Sequence, residues 1–187
     1  MNFESFNKIA RLSRKCVVTE KIDGTNGQIA ISDDGGLYVG SRNQWIYTPD
    51  GGYTADPFGF ARWALDHKEE LVSKLGVGRH YGEWWGSGIQ RGYGLPKGEK
   101  RFSLFNTSRW SDGAVRPACC GVVPVLYEGA FDLIIVEDCL NQLKDSGSVV
   151  APGFMRPEGV VVFHVAAQML FKKTIEKDEE PKGKEHP

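Results

Sequence analysis

Short strand-like segments, more than helices, limit how this chain folds. β-branched and apolar residues are concentrated in 16–22 (CVVTEKI) and 27–32 (GQIAIS), and a DDGG turn at 33–36 separates the second run from LYVGSR. Such runs, bounded by turn residues, are typical of consecutive antiparallel strands. The sequence therefore predicts that a β-meander opens the fold.

The remaining segments do not alternate regularly between strand and helix. Apolar spacing predicts one amphipathic helix over 59–75, ended by Gly76, and a second helix over 131–147, while 43–58 is predicted as a long exposed loop. Further strands are predicted at 79–85, 100–105, 122–129, 158–165 and 168–175, the last two as a closing hairpin. This order favours an α+β fold with largely antiparallel sheets over a doubly wound parallel sheet.

Length and charge restrict the classes of protein that remain. A chain of 187 residues suits one domain, predicted here over 1–175, and residues 176–187 contain no large apolar side chain and are predicted as a charged, solvated tail. The 23 basic and 24 acidic residues leave a net charge of −1, so any contact with a nucleic acid must be a local patch. No apolar run reaches the ~20 residues that a membrane span needs, and the start lacks the pattern of a secretory signal. The sequence predicts a cytoplasmic protein with buried, reduced cysteines and no membrane partner.

One lysine stands in an unusual context. Lys21 ends a predicted strand in the run EKIDGTNG (20–27), which alone is only a strand followed by a turn. Five further motifs follow in order: GSRN (40–43), YGEWWG (81–86), RFSLFN (101–106), PEGVVV (157–162) and LFKK (170–173). With these motifs the chain, from about 17 to 175, resembles the covalent nucleotidyltransferase superfamily, and within it the ATP-dependent RNA ligases of the nick-sealing branch.

The resemblance implies both a fold and a reaction. The fold is a nucleotidyltransferase domain in which two largely antiparallel sheets, flanked by helices, enclose an ATP cleft. Lys21 attacks the α-phosphate of ATP to form a lysyl-adenylate, AMP passes to a 5′-phosphate end, and a 3′-hydroxyl then seals the break. Glu158 serves the metal, Mg²⁺ or Mn²⁺, or the attacking lysine, and Lys172 is the lysine of the closing motif.

The same resemblance assigns the residues that bind the nucleotide. Glu83 binds the ribose, Phe105 rather than Phe102 stacks on adenine, and Arg42 meets phosphate or ribose; the first-motif positions are Glu20, Asp23 and Asn26. Two departures from the family pattern concern Asp23, where nick-sealing ligases often carry His, and Thr174, where the family commonly has a second lysine. Alternation predicts that Lys173 points to the face opposite Lys172.

Elementary chemistry sets a condition on the lysine. A free lysine titrates near ~10.4, so at neutral pH it is an ammonium without a lone pair for attack on phosphorus. Desolvation or nearby positive charge disfavours the ammonium, and Arg42, Lys172 and a bound magnesium ion are the candidate cations. These cations would also hold the triphosphate oxygens.

Other readings of the same residues remain open. The acceptor can be RNA, a nicked duplex or DNA ends, or another phosphate, and a noncatalytic module for binding ATP or RNA would retain the cleft without forming an adduct. The chain ends soon after Lys172, so self-adenylation is expected more readily than efficient sealing. The sequence gives no indication of the oligomeric state.

Overall fold

The computed structural model describes residues 3–6, 8–176 and 178. In this part of the chain eleven strands form two sheets. The small sheet has the strand order β11-β10-β1-β9, and the large sheet has the order β5-β4-β3-β2-β6-β7-β8. The strands are β1 Lys15–Lys21, β2 Thr25–Ile31, β3 Leu37–Gly40, β4 Trp45–Thr48, β5 Gly52–Tyr53, β6 Gly78–Gly86, β7 Lys100–Leu104, β8 Cys120–Val122, β9 Val125–Ala130, β10 Gly159–His164 and β11 Met169–Thr174.

Helices cover one face of each sheet. Against the large sheet pack α1 and α2, and against the small sheet packs α4. The helices are α1 Phe60–Asp66, α2 Lys68–Leu75, α3 Thr107–Trp110 and α4 Leu133–Ser146, with a 3-10 turn at Gly92–Gly94. All strand pairs within the two sheets are antiparallel except β7 with β8, which confirms the predicted α+β class with two largely antiparallel sheets.

The predicted opening meander is wrong in its connectivity. β1 pairs with β9 and β10 in the small sheet, whereas β2 pairs with β3 and β6 in the large sheet. Only Ile22, Asp23 and Gly24 separate the two strands, so the chain crosses from one sheet to the other within three residues. Local sequence predicts the strands but does not specify their partners.

Three other predicted segments are divided in the structure. The predicted loop over 43–58 contains the β4–β5 hairpin, because Asp50-Gly51-Gly52 supplies its turn. The predicted helix over 59–75 breaks at His67, whose φ of −111° and ψ of 17° leave the helical region. The predicted strand over 122–129 is two strands in different sheets, and Pro124, which has no N–H to donate to a ladder, stands between them.

Two facing glycines allow the core of the large sheet to form. Gly27 and Gly82 are directly opposite each other on β2 and β6, and the rings of Phe60 and Phe102 pack over them. A Cβ atom on Gly27 would lie 2.7 Å from Phe60 Cζ, and one on Gly82 would lie 2.7 Å from Phe102 Cε2. The aromatic layer therefore lies against bare backbone, and the opposite face of the sheet is left for polar residues.

The predicted structural role of two histidines is confirmed. His80 and His164 are buried, and their Nε2 atoms lie 2.9 Å from Gly76 O and 2.7 Å from Leu12 O. The four cysteines are free thiols, of which Cys119 is half-buried and the others are buried. No helix of the described residues has the length and apolar character that crossing a membrane requires. Of the predicted tail, 177 and 179–187 lie outside the described residues.

Candidate active site

Lys21 lies at the edge of the small sheet beside a buried carboxylate. Its Nζ is 2.5 Å from Glu158 Oε2, and the side chains are 20% and 5% exposed respectively. The strand register explains the contact, because Lys21 pairs with Gly159 at the start of β10 and Glu158 is the residue before it. The structure thus brings together the residues that the sequence assigned to nucleophile and to metal or lysine support.

Alternation along β1 sends Glu20 and Lys21 to opposite faces. The Glu20 carboxylate is buried and accepts hydrogen bonds from Ser148 Oγ at 2.6 Å, Val149 N at 2.9 Å and Val150 N at 3.0 Å. Burial raises the pKa of Glu20, and these three hydrogen bonds act against that rise. The carboxylate anchors the 148–150 segment and does not join Lys21, so a nucleotide contact by Glu20 stays a prediction.

The turn after Lys21 is held by the segment that follows β6. Tyr93 Oη accepts a hydrogen bond from Asp23 N at 2.8 Å, and Arg91 Nε donates to Asp23 Oδ2 at 3.0 Å. Tyr93 is buried and has a left-handed backbone with φ of 51°. This strained conformation turns the ring back toward the nucleophile loop.

Arg91 also contacts two other motifs. Its guanidinium donates to Arg156 O at 3.1 Å, just before Glu158, and to Glu176 Oε2 at 3.3 Å, just after β11. The residue therefore links the first motif to both closing motifs. Sequence reasoning noticed the glycine-rich segment 86–94 but interpreted it as a phosphate-binding loop, and it missed Arg91 and Tyr93.

Glu83 projects from β6 of the large sheet toward the same turn. Its Oε1 accepts a hydrogen bond from Gly24 N at 3.0 Å, and the residue is 8% exposed. Burial raises the pKa of Glu83 to about 7, while the Lys21 charge and the Gly24 N–H act in the opposite direction and Glu158 adds to the rise. Glu83 is therefore poised between neutral and charged forms at physiological pH.

The outer face of the large sheet carries the other predicted nucleotide contacts. Asn26 is exposed and lies directly opposite Glu83 in the β2–β6 ladder, so the two side chains share a face. Phe105 continues β7, its N–H bonding Tyr81 O at 2.9 Å, and its ring is partly exposed. Phe102 is fully buried in the opposite core, which confirms its predicted core role.

Lys172 and Arg42 are both exposed. Lys172 is aligned with Val161 and Thr19 across the small sheet, which places it on the Lys21 face. Lys173 points to the other face, where its Nζ lies 2.7 Å from Glu137 Oε1 of α4, as alternation predicted. Arg42 lies in the turn between β3 and β4.

The acidic side chains near Lys21 set limits on a metal site. No group of three or more His, Cys, Asp or Glu residues in the described part of the chain is arranged to hold a metal ion. Glu158 and Glu83 are close enough for the charge of one to affect the pKa of the other. Such a pair fits a hard cation that takes its remaining ligands from phosphate oxygens and water, as Mg²⁺ does.

Comparisons with known proteins were made for the whole chain. The profile of the family described as RNA ligase matches residues 14–175. No curated protein sequence matches.

Among solved structures, the chain is similar to three of Naegleria gruberi RNA ligase. A lysine mutant with AMP and Mn has 19% identity and a TM-score of 0.61, over 87% of this chain and 50% of that one. A glutamate mutant with AMP and Mn has 19% identity and a TM-score of 0.62, over 86% and 49%. The ligase with PPi has 19% identity and a TM-score of 0.60, over 87% and 50%. These likenesses show the fold, and the chain spans about half the length of those proteins.

Proposed function

The chain belongs to the RNA ligase family, and on that premise we propose that it is an ATP-dependent RNA ligase that forms a covalent lysyl-AMP at Lys21. One observation carries the proposal. The Lys21 amine lies 2.5 Å from the buried Glu158 carboxylate, in the turn that Glu83 and Asp23 also hold. A surface lysine beside an ordinary β-turn would not have this surrounding.

The first step joins Lys21 to the nucleotide. The amine loses a proton, its lone pair forms a bond to the α-phosphorus of ATP, and the bond from that phosphorus to the bridging oxygen breaks to release pyrophosphate. Glu158 holds Nζ at a distance that permits proton transfer. A divalent cation, with Glu158 and Glu83 as its protein ligands, would neutralise charge on the phosphate oxygens.

The two sheets supply the rest of the nucleotide site. We assign Glu83 and Asn26 to the ribose, since they are neighbours on the outer face of the large sheet and a carboxylate accepts hydrogen bonds from ribose hydroxyls. The partly exposed Phe105 ring stacks on adenine. Lys172 and Arg42 hold phosphate oxygens from the two sheets.

The acceptor is an RNA or nicked duplex end with a 5′-phosphate and a 3′-hydroxyl. AMP passes from Lys21 to the 5′-phosphate, and attack by the 3′-hydroxyl then releases AMP. We propose that residues 1–175 form the adenylation domain that carries out this chemistry. Four free thiols favour a reducing compartment, and we propose the cytoplasm.

The test is covalent labelling. Incubation with ATP labelled at the α-phosphate and Mg²⁺ or Mn²⁺ should leave label on the protein after denaturation. Lys21→Ala should abolish the label, and Lys173→Ala, on the other face of the sheet, should retain it. Label that persists in Lys21→Ala contradicts the assignment, and ATP binding without any adduct in the natural sequence identifies a noncatalytic module. Ligation of nicked RNA, hybrid and DNA duplexes then compares acceptors.

A further inference from the structure

A donor-rich cavity lies on the outer face of the large sheet, beyond the candidate nucleotide contacts. Its volume is about 240 Å³, and its lining consists of Gln28, residues 40–45 and Arg79. No acidic side chain is part of this lining. The donors of two guanidinium groups and of the side-chain amides therefore face a space without a negative charge.

Gln28 supplies the most specific sign of a missing ligand. Its Nε2 is buried and has no hydrogen-bond partner among the residues that the structure describes. A buried amide donor without an acceptor costs stability, and native proteins rarely keep one unless a ligand or water completes it. An oxygen in the cavity would satisfy this donor.

The two arginines make the cavity attractive to an anion. Arg42 and Arg79 are exposed, and within the described ranges neither has a carboxylate oxygen within 4 Å, while several other basic residues do. The Arg79 guanidinium lies 5.4 Å from the centre of the Trp45 ring, which limits its position. Trp45 in turn packs on Tyr38 at 5.6 Å.

The cavity is continuous with the candidate nucleotide site. In the β2–β6 ladder, Asn26 is opposite Glu83, two residues on Gln28 is opposite Tyr81, and two further on Ala30 is opposite Arg79. All these positions share one face, and four residues of strand span about 13 Å. A polynucleotide whose end lies at Lys21 would therefore reach the cavity along this face.

We propose that this cavity binds a backbone phosphate of the acceptor RNA strand. Arg79 and Arg42 donate to the phosphate oxygens, Gln28 Nε2 completes its hydrogen bonding on the same group, and an unpaired base stacks beside Trp45. The inference rests on the proposed ligase function, and it adds a site for the polynucleotide that is separate from the ATP phosphates. Arg79 is the residue that belongs to this site alone.

The experiment compares Arg79→Gln with Arg62→Gln, an exposed arginine of α1 on the opposite face of the large sheet. Anisotropy is measured with a fluorescein-labelled 12-nucleotide RNA that has a 5′-hydroxyl and so cannot receive AMP. Arg79→Gln should bind about tenfold more weakly, the loss expected for one charge-assisted contact. Its log–log salt dependence should be shallower by about 0.7, the contribution of one single-strand phosphate.

Self-adenylation separates this inference from the function on which it rests. The Arg79→Gln protein should label with α-labelled ATP as the natural sequence does. Equal RNA affinity in Arg79→Gln and Arg62→Gln, loss of labelling together with RNA binding, or no RNA binding by the natural sequence would each overturn the inference. Failure of the natural sequence to label at all would instead contradict the proposed function. Tighter binding of DNA of the same sequence would overturn the assignment to RNA.

A second variant tests the unpartnered donor. Gln28→Leu keeps the size of the side chain and removes the buried amide, so the thermal midpoint should be equal or higher while RNA affinity falls several-fold. A role in packing alone predicts the reverse, a lower midpoint with unchanged RNA affinity, and that result would overturn the inference.

Discussion

Lys21 and Glu158 are 137 positions apart in the sequence, yet Lys21 Nζ and Glu158 Oε2 are separated by 2.5 Å. The contact depends on the pairing of β1 with β10, which places Gly159 opposite Lys21. Gly159 has φ of 153°, and a Cβ atom there would lie 2.2 Å from Lys173 O. A bare glycine at this point lets the chain bring Glu158 to the lysine.

Glu158→Gln should slow labelling of Lys21 by about 100-fold or more, since the change removes the charge that holds the amine and the cation. The substitution keeps the shape of the side chain, so thermal unfolding should show a folded protein. The measurement is the initial rate of label incorporation at saturating ATP.

Glu128→Gln is the matched control for this variant. Glu128 forms an ion pair with Lys15 on the same sheet, but the pair is about half exposed and far less protected than the Lys21 pair. Labelling should stay within a factor of about two, because exposed ion pairs contribute little. A similar loss in both variants would mean that Glu158 acts only through stability.

The raised pKa of Glu83 predicts how the stability of the ligand-free protein depends on pH. The folded carboxyl holds its proton up to about pH 7, whereas the unfolded one loses it near its ordinary 4.5. The folded state therefore binds more protons between these values, and stability falls as pH rises through that window. Relative to Glu83→Gln, the natural sequence should lose about 3 kcal/mol between pH 4 and pH 8, the equivalent of the pKa difference.

Urea unfolding of both proteins at pH 4.5, 6 and 8 measures this difference. The Gln side chain still accepts the Gly24 hydrogen bond, so the comparison isolates the ionisation of Glu83. Parallel stability curves for the two proteins would show that Glu83 is ionised throughout, and the assignment of its raised pKa would be wrong.

Phe105→Ala and Phe102→Ala should separate binding from folding. Phe102 is fully buried against Phe60 and Trp63, so its truncation should cost about 3–5 kcal/mol of unfolding free energy. Phe105 is 39% exposed, so its truncation should leave the fold intact and weaken ATP binding by about 1–3 kcal/mol, the range for a lost stacking contact. Calorimetry with ATP and thermal unfolding distinguish the two; a destabilised Phe105→Ala with normal ATP affinity would place that ring in the core.

Lys172→Ala and Lys173→Ala test which face of β11 serves the reaction. Lys172→Ala should slow labelling by about 100-fold with an unchanged unfolding midpoint, because Lys172 shares the Lys21 face. Lys173→Ala should label normally and lose at most about 1 kcal/mol of stability, since its contact with Glu137 is partly exposed. Equal labelling rates in the two variants would remove Lys172 from the site.

Sequence patterning was sufficient for most strands and insufficient for their partners. The alternating runs of β1, β2 and β10 are local properties, whereas membership of one sheet or the other depends on contacts between distant residues. The break at His67 and the hairpin after Trp45 were missed because helical spacing and glycine-rich turns are compatible with more than one arrangement.

The motif residues were predictable because each stands in a short, ordered run, but the residues that support them were not. Arg91 and Tyr93 lie in a glycine-rich segment whose composition indicates only a loop. Their positions depend on left-handed backbone at Gln90 and Tyr93, a conformation that side chains other than glycine seldom adopt. The one local signal was the two polar or aromatic side chains enclosed by glycines.

The three-residue crossing at Ile22, Asp23 and Gly24 gives the nucleophile a mechanical position in the molecule. One end of this crossing is fixed to the small sheet and the other to the large sheet, and the Gly24–Glu83 hydrogen bond and the Tyr93–Asp23 hydrogen bond fasten it from the large-sheet side. Any sliding of one sheet past the other is thereby concentrated on the peptide units next to Lys21. Closure around a nucleotide and alignment of the attacking amine are consequently a single motion in this fold.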